Sequence, residues 1–273
     1  MITKRAFFLI ITGFFSLYIT AQKTGNQSLS MKHGETVEYD LYFKWGFLMR
    51  AGDAVFEYKP DKSVEGATSH YKMNFKTAKF FDGFYKMRDT IDSYFNDNKI
   101  IYSRKITNEG SYYDFDELKF NYDTDIINIH SKRRNLTRVK VDTVLTTVDE
   151  VTDLLGVIHY IRGINRNTLK FGEIYPLTVA IGRDLVKVQF IYQNPQIVEH
   201  GNMKFKTHYF KIDVFDDDAF ESTKTAVELW VGDDDNFLPI KVRSKLKFGY
   251  VEIYYKSSTG LAHPLSCGVS MKK

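Results

Sequence analysis

Seven histidines are the side chains most readily turned to catalysis or metal binding: His33, His70, His130, His159, His200, His208 and His263. Imidazole titrates near neutrality and is a common metal ligand. No two of the seven stand as H-x-H or H-E-x-x-H, so local spacing supplies no converging ligand set for zinc, and no metal is expected. The single cysteine, Cys267 in "LSCGVS", excludes an intramolecular disulfide. His159 stands out, beside Tyr160 and close to Arg162. It can serve as an acid or base facing a cleft, or lie on a helix flank bonded to a neighbouring strand. Arg162 can grip an anion through its planar fork, or pair with a carboxylate of the sheet. The packing role is the preferred reading of both. With Trp45 they form the candidate ligand-binding set: Trp45, His159, Tyr160 and Arg162.

No catalytic residue is assigned. The chain has no G-x-S-x-G elbow, phosphate loop or dinucleotide fingerprint, so no cofactor is expected. Asp40, Asp53, Asp89 and Asp92 are candidates for paired-carboxylate glycoside chemistry, which needs two acids facing across a cleft. The runs "DVFDDDAFE" and "GDDDN" lack calcium-loop spacing and read as solvated hairpin ends. "SKRRN" (Ser131 to Asn135) reads as a charged turn.

These residues must be held by strands. In "HGETVEYDLYFKWGFLMRAGDAVFEYKP", Val37, Tyr39, Leu41, Phe43 and Trp45 alternate with polar positions, a period of two. Tyr71, Met73 and Phe75 alternate in the same way, as do Val186, Val188, Phe190 and Tyr192. The period changes once. "TTVDEVTDLLGVIHYIRGI" places Leu154, Val157, Ile158, Ile161 and Ile164 on one helical face, with Thr152 or Asp149 as cap and Gly163 as terminator. The order is about seven strands, one helix over 150–164, then about six strands. Without strand–helix alternation a parallel sheet is excluded. Long twisted strands curl. The expected fold is therefore mainly β: a long-stranded curved antiparallel sheet, an open or half β-barrel, wrapped around one central α-helix.

The 273 residues are 43% hydrophobic and 15% aromatic, enough for a sizeable core. The 18 Tyr and 22 Phe favour pleated surfaces. In "MITKRAFFLIITGFFSLYITAQ", Lys4 and Arg5 precede an apolar run of about 14 residues and then Thr20 and Ala21. That is the order of a cleaved secretory signal, and the run is short of the roughly 20 residues of a spanning helix. Residues 1–21 are expected to be removed, leaving one β domain over 22–273. No cysteine follows the apolar run, so no lipid anchor is expected. Removing Lys4 and Arg5 from the 38 basic residues leaves 36 against 34 acidic ones, a net +2. That is too little to attract nucleic acid.

"GETVEYDLYFKWGFLMRAGDAVFEY", "KMRDTIDSYF", "DLLGVIHYIRG", "YPLTVAIGRDLVKVQFIY", "ELWVGDDDNFLPIKVR" and "FGYVEIYY", in that order, resemble the DUF3108 family of Gram-negative envelope proteins. The helix departs from the family pattern at Leu155, where a serine is expected. The resemblance implies a half-barrel of the lipoprotein-carrier type, binding an apolar or glycan ligand in its concave face. It implies a periplasmic or outer-envelope location, and the composition resembles a Bacteroidetes protein. The chain is expected to act as a monomer without nucleic acid. The alternatives are a polysaccharide-acting hydrolase or lyase and a structural partner in an envelope assembly.

Overall fold

The computed structural model describes residues 30–271, except Phe84, Asp217, Asp218, Lys247 and Phe248; the side chains of Trp45 and of residues 216–224 also lie outside the description. The expected signal segment, residues 1–21, falls outside it too.

Sixteen strands form a single sheet. The first arm runs β1 (Glu35–Trp45), β2 (Phe47–Pro60), β3 (Ser69–Thr77), β4 (Thr90–Asn96), β5 (Lys99–Glu109), β6 (Tyr112–Asn121), β7 (Ile127–Arg134) and β8 (Val139–Thr147). A four-residue helix α1 (Lys79–Asp82) lies between β3 and β4. Then come β9 (Val151–Thr152), helix α2 (Gly156–Arg162) and a 3-10 turn at Arg166–Thr168. The second arm is β10 (Ile174–Ile181), β11 (Asp184–His200), β12 (Met203–Asp216), β13 (Ala219–Gly232), β14 (Pro239–Lys245) and β15 (Tyr250–Thr259). A short β16 (Gly268–Ser270) pairs with β12.

Side by side, the strands run from β8 back to β1, then β15 back to β9. Every ladder on this path is antiparallel except the two-residue pairing of β9 with β10. The first strand is thus central, with β2 on one flank and β15 on the other. The two outermost strands, β8 and β9, are joined by Val148–Glu150, a link that spans about 14 Å at most. At the same seam the Ser131 hydroxyl donates to the Gly182 carbonyl. The sheet is therefore nearly closed and barrel-shaped. Register shifts in β1, β4, β7, β11, β12 and β13 add local twist to its curl. Because the path is a meander, alternate connections share a rim. The β1–β2, β3–β4, β5–β6, β7–β8, β10–β11 and β14–β15 turns lie at one end.

Inward positions follow the sequence period. Val37, Tyr39 and Leu41 on β1, Ala54 and Phe56 on β2, Tyr71 and Met73 on β3, and Val188, Phe190 and Tyr192 on β11 are buried. They fall into two apolar clusters, and the helical segment supplies both: Leu155 and Ile158 go to the first, Tyr160, Ile161 and Ile164 to the second.

Three expectations need correction. The helix is seven residues, not the fifteen of 150–164, because Val151 and Thr152 pair with Val179 and Thr178 of β10 as strand. It is accompanied by α1 and a 3-10 turn and is not the single helix of the chain. Ser131 to Arg134 are not a turn but the end of β7, opposite Leu118 to Phe115 of β6. Arg133 is compensated there by Asp116, and Arg134 lies 4.3 Å above the Phe115 ring; the turn is made by Asn135, whose side chain accepts from Thr137 and Arg138.

Candidate functional site

The segment from Asp153 to Asn167 gathers most of the buried polar chemistry. Asp153, not Thr152 or Asp149, caps the helical turn: its Oδ1 accepts the Gly156 N–H at 2.8 Å. Its Oδ2 accepts the hydroxyls of Ser93 on β4 and Ser103 on β5. The carboxyl is fully buried, and desolvation raises its pKa while the two hydroxyls pull the other way. Gly156 is required here, since a Cβ would lie 1.7 Å from Thr152 Oγ1.

The predicted residues of α2 leave the helix in three directions. His159 Nδ1 shares a hydrogen bond with the Tyr71 hydroxyl of β3 at 2.7 Å, and the imidazole stacks on Phe95 of β4 at 5.1 Å. Burial, with the Arg162 charge second, lowers the His159 pKa to about 4, so the ring is neutral at pH 7. Tyr160 points to the other arm, donating to the Pro176 carbonyl of β10 at 2.8 Å and lying against Phe190. Arg162 turns to the start of β1. Its guanidinium is gripped by both oxygens of Glu35 and also donates to the carbonyls of Asn236 at 2.9 Å and Ser30 at 2.7 Å. Neither side chain of this ion pair is exposed. His159, Tyr160 and Arg162 are not brought to one cluster, and the Trp45 side chain lies outside the described residues.

Of these residues, Arg162 borders a hollow. A cleft of about 190 Å³ lies between the end of α2, the 3-10 turn and the β13–β14 connection, lined by Ser30, Arg162, Asn165, Arg166, Asn167 and Asp235, with Ile164, Asp234 and Phe237 beneath. Arg166 spans its wall, donating to Asp233 at 3.4 Å and Asp235 at 2.6 Å. Behind Asp233 stands His208, with Nε2 at 3.1 Å from the carboxylate and Nδ1 at 3.1 Å from the Tyr192 hydroxyl. The "GDDDN" run is therefore not a plain solvated hairpin end. Asp234 is buried, accepting from Asn236 and Cys267 backbone N–H groups, and the Asn236 side chain ties down His263 and Pro264. A second hollow of about 50 Å³ sits at the seam beside Asp116, Arg133, Asp153 and Gly182.

Of the proposed carboxylate set, Asp40 and Asp53 meet as cross-strand partners on one arginine, and Asp89 and Asp92 are held by other groups. Asp40 and Asp53 both contact Arg50, Asp89 accepts the Asn108 N–H at 2.8 Å, and Asp92 bonds His70 at 2.9 Å and Arg104 at 2.9 Å. Cys267 is buried and unbonded to another sulfur, with its thiol pKa pushed up chiefly by burial. Among the described residues no group of three or more His, Cys, Asp or Glu side chains is placed to hold a metal ion. Among the same residues no helix is long and apolar enough to cross a membrane.

Sequence reasoning missed Asn165, Arg166, Asn167 and Asp235. They carry no periodicity, and the Arg166–Asp235 contact joins positions 69 apart. The one available signal was the N-x-N spacing after Gly163, which marks a side-chain-capped turn: Asn165 Oδ1 accepts the Asn167 N–H at 3.0 Å.

Residues 38–256 match the family model DUF3108, "Protein of unknown function". Among solved structures, the chain is similar to a β-barrel-like protein of the domain of unknown function DUF1849 from Brucella abortus, with TM-score 0.54 and 10% identity, covering 84% of this chain and 98% of that one. It also matches a "putative lipoprotein" from Parabacteroides distasonis, with TM-score 0.34, 8% identity and coverage of 85% and 100%. A "putative exported protein with YmcC-like fold" from Bacteroides fragilis matches with TM-score 0.31, 9% identity and coverage of 85% and 98%. No curated protein matches the sequence.

Proposed function

The chain belongs to the DUF3108 family, and from that premise we propose a noncatalytic binding protein of the periplasm or outer envelope, its sheet curled about α2, that takes a glycan in the cleft beside Arg166. The carrying observation is the lining of that cleft. Asn165, Arg166, Asn167 and Asp235 offer planar amide, guanidinium and carboxylate groups at one opening. Such groups pair with vicinal hydroxyls through two parallel hydrogen bonds, the chemistry a sugar demands. An apolar ligand would strip water from those groups without replacing its hydrogen bonds.

The deeper titratable groups support a noncatalytic role. His159 is neutral and spent on Tyr71, Arg162 on Glu35 and Asp153 on two serines. A hydrolytic reading rests on one arrangement, the Tyr192–His208–Asp233 chain behind the cleft wall. Calorimetric titration with chitooligosaccharides and with lipopolysaccharide core oligosaccharide tests the proposal. Binding that disappears in the Arg166→Ala/Asn167→Ala variant, with no sugar cleaved, supports it. Cleavage that His208→Ala abolishes while binding persists would replace it with the hydrolytic reading. No heat with either sugar class, from a folded protein, would remove the glycan assignment.

A further inference from the structure

We propose that the rim carrying the β1–β2 and β14–β15 turns docks onto an anionic lipid surface. The two tips stand side by side, because Lys44 of β1 is paired with Leu48 of β2 on one flank and Tyr250 of β15 on the other. Cross-strand neighbours on one face lie about 5 Å apart, so Leu48, Lys44 and Tyr250 form a row across both tips. At its edge stand Phe47, 68% exposed, and Leu246, 42% exposed. Burying these side chains would favour association through the apolar area removed from water.

The same rim carries further exposed apolar residues on other turns, among them Tyr85 in the β3–β4 connection and Leu136 in the β7–β8 turn. They sit on separate turns of the rim. A protein partner needs a contiguous patch, whereas a bilayer interface accepts separate apolar tips, each entering the headgroup and acyl boundary with lysines beside it. The charge around the tips selects the lipid. Glu252, the acid nearest the tips in register, is engaged by Arg243 and Lys241, and Asp40 and Asp53 behind it are both engaged by Arg50. Lys44 and Lys245 are exposed and have no carboxylate partner among the described residues. Among the described residues the uncompensated charge at the tips is positive, complementary to anionic headgroups.

The test uses the exported chain purified from the envelope of an expressing bacterium. It is sedimented with vesicles of phosphatidylethanolamine and phosphatidylglycerol, and with vesicles of phosphatidylcholine alone. We expect sedimentation with the anionic vesicles. It should fall by about tenfold or more in Leu48→Ser/Tyr250→Ser, the loss of roughly 1.4 kcal/mol or more, with an unchanged thermal midpoint. In Lys44→Glu/Lys245→Glu the preference for anionic over neutral vesicles should disappear. A tryptophan introduced as Phe47→Trp should shift its emission to the blue on adding anionic vesicles. Three results would each overturn the proposal: a wild-type chain that stays in the supernatant, variants that sediment as it does, or a dimer that Leu48→Ser/Tyr250→Ser dissociates in the absence of vesicle binding.

Discussion

Glu35, the first residue of β1, and Arg162, the last residue of α2, lie 127 positions apart and hold one another through both guanidinium nitrogens with neither side chain exposed. Two buried charges cost several kcal/mol each to desolvate, and their attraction offsets this only when the remaining donors are satisfied. The carbonyls of Ser30 and Asn236 meet that condition. Glu35→Leu or Arg162→Met alone leaves one buried charge without its partner and should cost about 3–5 kcal/mol. Glu35→Leu/Arg162→Met removes both charges and should recover much of that loss. Urea denaturation of the two single variants and the double variant checks it as a double-mutant cycle.

His159 should make stability depend on pH. Its folded-state pKa is lowered from 6.5 to about 4, so between those values the unfolded chain binds a proton that the folded chain does not. The stability it contributes is present above about 6.5 and lost as pH falls toward 4, on the order of 3 kcal/mol in all. The raised Asp153 carboxyl acts in the opposite sense, since the folded chain is then the readier proton acceptor. His159→Phe keeps an aromatic ring against Phe95 but leaves the Tyr71 hydroxyl with only the weak Met31 sulfur contact at 3.7 Å. We expect it to be less stable at pH 7 by about 1–3 kcal/mol and to show a flatter pH profile in urea titrations.

Asp153 and Gly156 fix where the strand β9 becomes helix. Asp153→Ala removes the cap and leaves the Ser93 and Ser103 hydroxyls without their acceptor. The expected loss is about 2–4 kcal/mol, from a cap near 1 and the stranded polar groups. Gly156→Ala, stabilising in an ordinary helix, should here destabilise, because its methyl would collide with Thr152. Thermal melts of both variants check the signs.

Cys267 should be silent to thiol reagents while the chain is folded. It is 2% exposed, and burial together with the nearby Asp234 carboxylate disfavours the thiolate, which is the reactive form. Alkylation by iodoacetamide should proceed only in denaturant, at one site per chain, as read by mass spectrometry.

Strand periodicity was legible wherever one face meets the core: Val37, Tyr39 and Leu41 point inward as their alternation requires. It failed at Ser131 to Arg134. Those charges are tolerated in a strand only because β6 places Asp116 and the Phe115 ring opposite them, and such register is not a local property. The helix was legible as an apolar stripe, but its start was misplaced, since pairing of Val151 and Thr152 with β10 overrides propensity. His159 and Arg162 drew notice by type. Their partners, Tyr71 and Glu35, are 88 and 127 positions away, so the sequence could name the groups and not what they do. The cleft was illegible for a related reason, being built from two turns whose contacting residues, Arg166 and Asp235, are 69 positions apart.

The pairing of β1 with β15 gives the chain a circular order with its ends in the wrong place for speed. Thr36 lies opposite Thr259, so the central ladder joins positions 223 apart and forms only after the last strand is made. Until then the early half presents a bare, apolar-backed edge along β1, and an unpaired edge invites association. Cutting at Val148–Glu150 and joining the old termini would make every neighbour on the β8-to-β9 path consecutive in the chain. Such a permutant keeps the ladders, drops the longest loop closures and should fold faster.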